Sequence, residues 1–336
     1  MKAMVLHDVG KIESNPLKYE DYPTPKPSTG EILVKIISTG VCHSNLHMIE
    51  GDWVQYGVPA KLPIIPGHEI IGKVAELGEG VNNLKAGQPV GLSPLWNSCG
   101  RCEHCLTGNE HLCDSAQITG ETVDGGYAEY VLAKANYVYS IPEGIDLQSD
   151  APLFCPGVTA YRASKMAALG PESTVYVVGI GGVGHVAIQT SKLFGARVIA
   201  VSTSDEHAQL AKEMGADDVI MTNRNYDNLE KYHDSAGSVI VFSPSQKAID
   251  ASLRLVKKRG TFVMGVFGDI HDFRFVKEIK VRGSMIGPRS DMNEVLYLAS
   301  KGKIKIKTTR FKVAEANEVL KMMKDGRIVG RAVLSP

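Results

Sequence analysis

At 336 residues the chain is long for one hydrophobic core, so two domains are expected. Lysine plus arginine equals aspartate plus glutamate at 37 each, which leaves no net field to draw the protein to nucleic acid or a membrane surface. With 43% hydrophobic and 22% charged residues and no apolar run of membrane-spanning length, the composition is that of an ordinary soluble globular protein.

The N-terminus, Met1 to Asp8, meets charge too early for a secretion signal and reads as a first strand. A cytoplasmic, reducing setting is therefore expected, where clustered cysteines favour metal over disulfide. In the first half, short β-rich runs such as 31–36 and 70–77 are broken by Gly- and Pro-containing turns, which predicts a compact, largely antiparallel domain. From Thr174 the pattern changes. Apolar strands at 175–178, 198–201, 219–221, 239–242 and 261–266 alternate with helices running to about 194, over 206–214 and over 247–256. Such alternation predicts an α/β unit, a doubly wound parallel sheet with helices on both faces. A helix near 314–323 and a strand at 331–334 complete the first domain. The α/β unit, 154–287, is thus expected as an insertion into a domain made of 1–153 and 288–336.

Three constellations carry chemistry. Cys99, Cys102, Cys105 and Cys113 form a C-x2-C-x2-C-x7-C run in a lobe over 96–114; four thiolates can close a tetrahedral zinc shell. Disulfides and a zinc ribbon for nucleic acid are the alternatives, disfavoured by compartment and by zero net charge. Loop N–H groups and Arg101 are expected to offset the surplus negative charge. Cys42 and Cys155 stand far apart, with His68 between them, and two thiolates with one imidazole leave a fourth position open. Closed sites hold structure; open sites do chemistry.

The third constellation is Gly179-Ile180-Gly181-Gly182-Val183-Gly184, a G-x-G-x-x-G between a strand and a helix. Gly179 serves the tight turn, Gly181 the approach of the pyrophosphate, and Gly184 close helix–strand packing, while the helix N-terminus faces the phosphates. At the tip of the next strand, Ser202, Thr203 and Ser204 replace the acid that usually binds the ribose of NAD. Hydroxyls there, with Arg224 beyond the third strand, favour NADP, with NAD as the alternative.

Gly67-His68-Glu69-x2-Gly72-x5-Gly78-x2-Val81, together with Cys42-His43-Ser44-Asn45-Leu46-His47, the cysteine lobe and the glycine fingerprint in that order, resembles the zinc-containing alcohol dehydrogenases of the medium-chain dehydrogenase/reductase family. The resemblance spans essentially the whole chain. It implies a largely β GroES-like catalytic domain with an inserted Rossmann domain, two Zn2+ per chain, and reversible hydride transfer between an alcohol and NAD(P). Cys42, His68 and Cys155 match the catalytic ligands, a Cys2His set for which alcohol dehydrogenase is the type example. Glu69 matches a glutamate near that metal. Ser44 and His47 match a proton relay, and histidine suits its solvent end because it titrates near neutrality.

His43 and Arg331 match contacts to the cofactor pyrophosphate, Thr159 resembles the threonine that packs against the nicotinamide, and Met264-Gly265-Val266 matches the stretch where its ribose should lie. Trp53, Trp96, Leu95 and Ile286 are the substrate-pocket candidates, and ring walls favour small primary alcohols. Asn45 stands where the family usually has an aspartate holding the ligand histidine; its carbonyl is expected to accept that hydrogen bond without charge, leaving the zinc slightly more electrophilic. A homodimer or homotetramer is implied. A polyol or sugar dehydrogenase of the same family, or a relative that binds zinc and nucleotide without catalysis, are the alternatives; the intact ligand and relay residues weigh against loss of catalysis.

Overall fold

Strand Glu31–Gly40 buries seven of its ten residues, and three other strands pair with it antiparallel: Ile70–Leu77, Tyr130–Lys134 and Arg331–Ser335. Burial along so much of its length, rather than on alternate residues only, is the mark of a central strand covered on both faces. The computed structural model describes all residues from Met1 to Pro336 and resolves into two units. The first comprises Met1–Cys155, Pro288–Ser300 and Ile306–Pro336; the second comprises Pro156–Gly287 with Lys301–Lys305.

In the first unit the sheet has seven strands, and Thr308–Lys312 runs parallel to Arg331–Ser335 at one edge. Helix Ala316–Lys324 buries Ala316, Val319, Leu320 and Met323, the i, i+3, i+4, i+7 stripe of an amphipathic helix. That stripe enters a core with Met4, Leu6, Ile49, Ile64 and Tyr127.

Phe154 and Cys155, expected in the nucleotide-binding segment, belong to this first unit. The reason is packing. The Phe154 ring is fully buried against Gly91, where any Cβ would fall 1.8 Å from it, and tilts on Tyr139 at 5.8 Å. Burying such a ring contributes about 1.5–3 kcal/mol, which anchors the turn that carries Cys155.

The second unit is a six-stranded sheet, all parallel, in the order Asp218–Met221, Arg197–Ser202, Thr174–Val178, Ala236–Val241, Val256–Met264, Lys280–Gly283. Starting at Thr174–Val178 the chain winds outward to one side and then to the other, the doubly wound arrangement. Lys301–Lys305 joins this unit because Gln189 bonds the backbone of Lys305 twice, at 2.7 and 2.9 Å. No helix is long and apolar enough to cross a membrane.

Candidate active site and metal centres

The antiparallel register places Thr39 opposite both Ile70 and Leu334, and Gly40 opposite Val333, while the Gly40 N–H donates to Glu69 O at 2.8 Å. Cys42, just beyond, sits at the N-terminus of helix His43–Glu50 with no capping bond from its side chain, so its thiol is free to face inward. His68 and Glu69 precede strand Ile70–Leu77, and Cys155 ends the turn Ala151–Phe154. Three distant stretches of sequence thus bring Cys42, His68, Glu69 and Cys155 together, with one potential ligand atom from each lying within 4.8 Å of the others.

Cys42 Sγ and Cys155 Sγ are 4.0 Å apart, and both cysteines are free. Zinc–thiolate bonds of about 2.3 Å at tetrahedral angles separate two sulfurs by about 3.8 Å, so the pair fits one zinc. Glu69 Oε2 is buried and without a hydrogen-bond partner, a polar atom that a cation would satisfy. Gly40 makes room for this carboxylate: a Cβ there would sit 1.8 Å from Glu69 Oε2. The hydrogen bond from Cys155 and the adjacent His68 draw the Cys42 thiol well below its ordinary range, against burial. Burial disfavours the His68 imidazolium, but the Cys42 contact outweighs it and raises the ring to about 9. Protons gathered on such a cluster are what a metal displaces when it binds.

Ser44 Oγ donates to Cys42 Sγ at 3.1 Å and lies 3.5 Å from His68 Nε2. That nitrogen is therefore the one facing the cluster. His47 bonds Asp52 Oδ2 through Nδ1 at 2.8 Å and stacks on Trp53, ring centres 5.4 Å apart. Asp52 is absent from the sequence reading, although its place just past the helix-ending Gly51 was a usable signal. Burial holds His43 below the ordinary imidazole range, which makes it a neutral hydrogen-bonding group near pH 7.

One expectation changes. Asn45 does not turn its carbonyl to His68: Oδ1 accepts from Tyr127 OH at 3.2 Å, and Nδ2 faces His68 Nδ1 at 3.4 Å. Arg331 donates to Glu69 Oε1 within the buried sheet, and its Nε has no partner.

The lobe cysteines offer a second set of ligand atoms, also within 4.8 Å of one another. Cys99 and Cys105 sulfurs are 3.9 Å apart, and those of Cys102 and Cys105 3.5 Å, again near the tetrahedral edge. Backbone N–H groups supply the expected offset, since Arg101 and Cys102 pull the Cys99 thiol down to about 6. Arg101 contributes through its backbone. Trp96 donates to Leu132 O at 3.1 Å and lies under Lys134 Nζ, 5.0 Å from its ring, so it anchors the lobe on strand Tyr130–Lys134. Leu95 is buried opposite Ile118.

In the second unit two of the fingerprint glycines have a steric reason. Gly179 has φ +90°, and a Cβ on it would meet Ser243 N at 2.6 Å; one on Gly184 would meet Gly179 O at 2.0 Å. Gly181 faces open space, with nothing within 4 Å of a Cβ position. Val183 and Gly184 begin helix Gly184–Leu193, and Gly182 precedes them in the same loop. Ser202 Oγ donates to Ser204 O and Ser204 Oγ accepts from His207 N–H as a helix cap, so both hydroxyls serve the local turn. Thr203 and Arg224 are exposed, and Ser202 pairs with Met221, three residues before Arg224. Thr159 lies in helix Pro156–Met166; Met264 ends its strand, followed by Gly265 and Val266; Ile286 has φ 42°.

Residues 28–143 match the family model for the alcohol dehydrogenase GroES-like domain, and residues 182–301 that for zinc-binding dehydrogenases. The chain is 40% identical to an alcohol dehydrogenase of Geobacillus stearothermophilus over 347 residues, covering 99% of this chain and 98% of the other. Against an alcohol dehydrogenase of Moraxella sp. strain TAE123 the identity is 41% over 342 residues, with 99% of each covered. The crystal structure of the alcohol dehydrogenase from Aeropyrum pernix superposes with a TM-score of 0.91 at 32% identity, covering 100% of both chains.

Proposed function

Because this chain belongs to the zinc-containing alcohol dehydrogenases of the medium-chain dehydrogenase/reductase family, we propose that Cys42, His68 and Cys155 hold a catalytic zinc, and Cys99, Cys102, Cys105 and Cys113 a structural one. The observation that carries this is the convergence of two sulfurs, one imidazole nitrogen and one unpartnered carboxylate oxygen from distant stretches of chain. Two thiolates, a neutral imidazole and Zn2+ sum to zero charge, which leaves the open position ready for a substrate oxygen. A zinc held by these residues would supply Lewis acidity for an alcohol oxygen, and a bound NAD(P) would supply the hydride acceptor.

The chain's own residues do the rest. Ser44, within reach of the ligand atoms, takes the hydroxyl proton; His47, one turn further along the same helix, exchanges it with solvent. Asp52 holds His47 by Nδ1 and so fixes which ring nitrogen exchanges. Glu69 lies among the ligand atoms of Cys42, His68 and Cys155, tethered by Arg331, and the Gly179–Gly184 loop is the segment we assign to the cofactor pyrophosphate. Thr203, exposed at the tip of strand Arg197–Ser202 where no acid stands, and exposed Arg224 beyond the neighbouring strand are the residues on which we base NADP as the preferred cofactor. Trp53, stacked on His47, is the ring we place beside a small primary alcohol.

We read the protein as a homodimer or homotetramer. Strand Lys280–Gly283 is the sheet's edge with all four residues exposed, and nearby Phe275 is 79% exposed, features suited to a second copy. Following NADP and NAD reduction across an alcohol panel with zinc-replete protein tests the reading. Turnover of small primary alcohols, faster with NADP, is expected; no turnover with any alcohol contradicts it.

A further inference from the structure

A histidine that binds a metal through Nε2 carries its proton on Nδ1, and that N–H needs an acceptor to fix the tautomer and the ring. His68 presents Nε2 to Ser44 and the sulfur cluster, so Nδ1 is the outward nitrogen. What meets it is unsuitable: Asn45 offers Nδ2, a donor, because its oxygen is occupied by Tyr127 OH. Even with the amide reversed, Asn45 supplies only a neutral oxygen.

The carboxylate facing Nδ1 is Glu121, with Oε1 3.8 Å away. Its side chain is 14% exposed and pairs with no lysine or arginine, an expensive placement for a carboxylate that has no task. The turn carrying Glu121 is built against the ligand. Gly120, at φ +74°, packs so closely on Gly67 that a Cβ would lie 2.6 Å from Gly67 N, and one on Gly125 would lie 2.1 Å from Gly67 O. Thr122 braces the same turn by accepting from Ile118 N–H at 2.7 Å and donating to Ile118 O at 3.2 Å. Two contacts thus fix Glu121 beside the residue preceding His68. A side-chain rotation closing about 1 Å converts the 3.8 Å approach into a hydrogen bond.

We infer that Glu121 is the positioning carboxylate of the zinc ligand His68, supplying from a distant turn the charge that Asn45 lacks. The inference rests on the catalytic-zinc reading above. It replaces the expectation that Asn45 alone sets the electrophilicity of that metal.

The test is zinc affinity at the Cys42 cluster, measured by competition with a chromophoric chelator, with the lobe zinc as an internal reference. Glu121→Gln should weaken the cluster's affinity by about 10–100-fold and leave the lobe unchanged, and adding Asn45→Asp should restore it to within about threefold. Asn45→Asp alone should change affinity by less than about threefold, because His68 already has its carboxylate. Unchanged affinity in Glu121→Gln, or a loss that Asn45→Asp does not rescue, overturns the assignment. Should Glu121→Gln also lose the lobe zinc through misfolding, Asn45→Asp alone decides, and a tightening of about 10–100-fold overturns it. Failure of the underlying reading looks different: Cys42→Ser would then bind as much zinc as the parent protein.

Discussion

Arg331 and Glu69, 262 positions apart in sequence, form an ion pair whose side chains are only 4% and 0% exposed. The last strand of the chain is thereby bound to the stretch that carries His68. Removing one partner of a buried pair leaves an uncompensated charge and costs about 3–5 kcal/mol, whereas replacing both by apolar groups is close to neutral. Arg331→Leu should lower the free energy of urea unfolding by about 3–5 kcal/mol, and Glu69→Leu with Arg331→Leu should recover most of that loss. Equal losses in the single and double variants would show that the two side chains are not coupled.

Glu50 gives the protein a carboxylate-dependent stability. Burial raises its pKa, but Ile12 N–H at 2.9 Å, Lys324 at 2.7 Å and Lys11 at 3.4 Å outweigh that and hold it below the ordinary value of 4.5. A depressed folded-state pKa contributes stability above the unfolded value, and that contribution fades as pH falls through the folded one. Glu50→Gln should therefore cost about 1 kcal/mol at pH 7, with the difference from the parent vanishing as the pH is lowered below about 4. Urea midpoints taken from pH 7 downward measure it, and a constant difference would refute it.

The relay predicts a pH-dependent defect. His47→Ala should slow alcohol oxidation about tenfold at pH 6 and less than about threefold at pH 9.5, where hydroxide from solvent substitutes for the imidazole. Asp52→Asn, which weakens only the grip on Nδ1, should give a smaller loss with the same pH trend. Steady-state rates across that range provide the check; equal loss at every pH would remove His47 from the proton path.

Cofactor preference turns on Arg224. Arg224→Ala should raise KM for NADP about tenfold, the loss of about 1.4 kcal/mol of charge-assisted phosphate contact, and leave KM for NAD within about twofold. Parallel changes for both cofactors would place Arg224 outside the ribose-phosphate site.

Residues whose chemistry is local were legible before any fold was known. The cysteine lobe gathers its four thiols within one short loop, and the glycine fingerprint announces its turn at Gly179 and its close packing at Gly184. The strand and helix alternation was equally readable, because parallel strands buried on both faces write continuous apolar runs. What the sequence concealed depends on register across the sheet. Nothing near Glu69 points to Arg331, and nothing near His68 points to Glu121, since each pair forms only when separate strands and turns are packed side by side. Asn45 was visible as a departure from the family, but its orientation was set by Tyr127, a residue with no local signal. The partner of Trp96 was hidden for the same reason: its indole donates to the backbone of a strand far along the chain.

On the reading proposed above, two zinc sites of different kinds reside in one chain, and the open one does the chemistry. Zinc content and alcohol-dependent NADP reduction, measured together on the parent protein, Cys42→Ser and Cys105→Ser, test it directly. The account predicts two zincs and activity in the parent, one zinc and no activity in Cys42→Ser, and one zinc, a lowered melting temperature and measurable activity in Cys105→Ser. Two zincs with retained turnover in Cys42→Ser would contradict it.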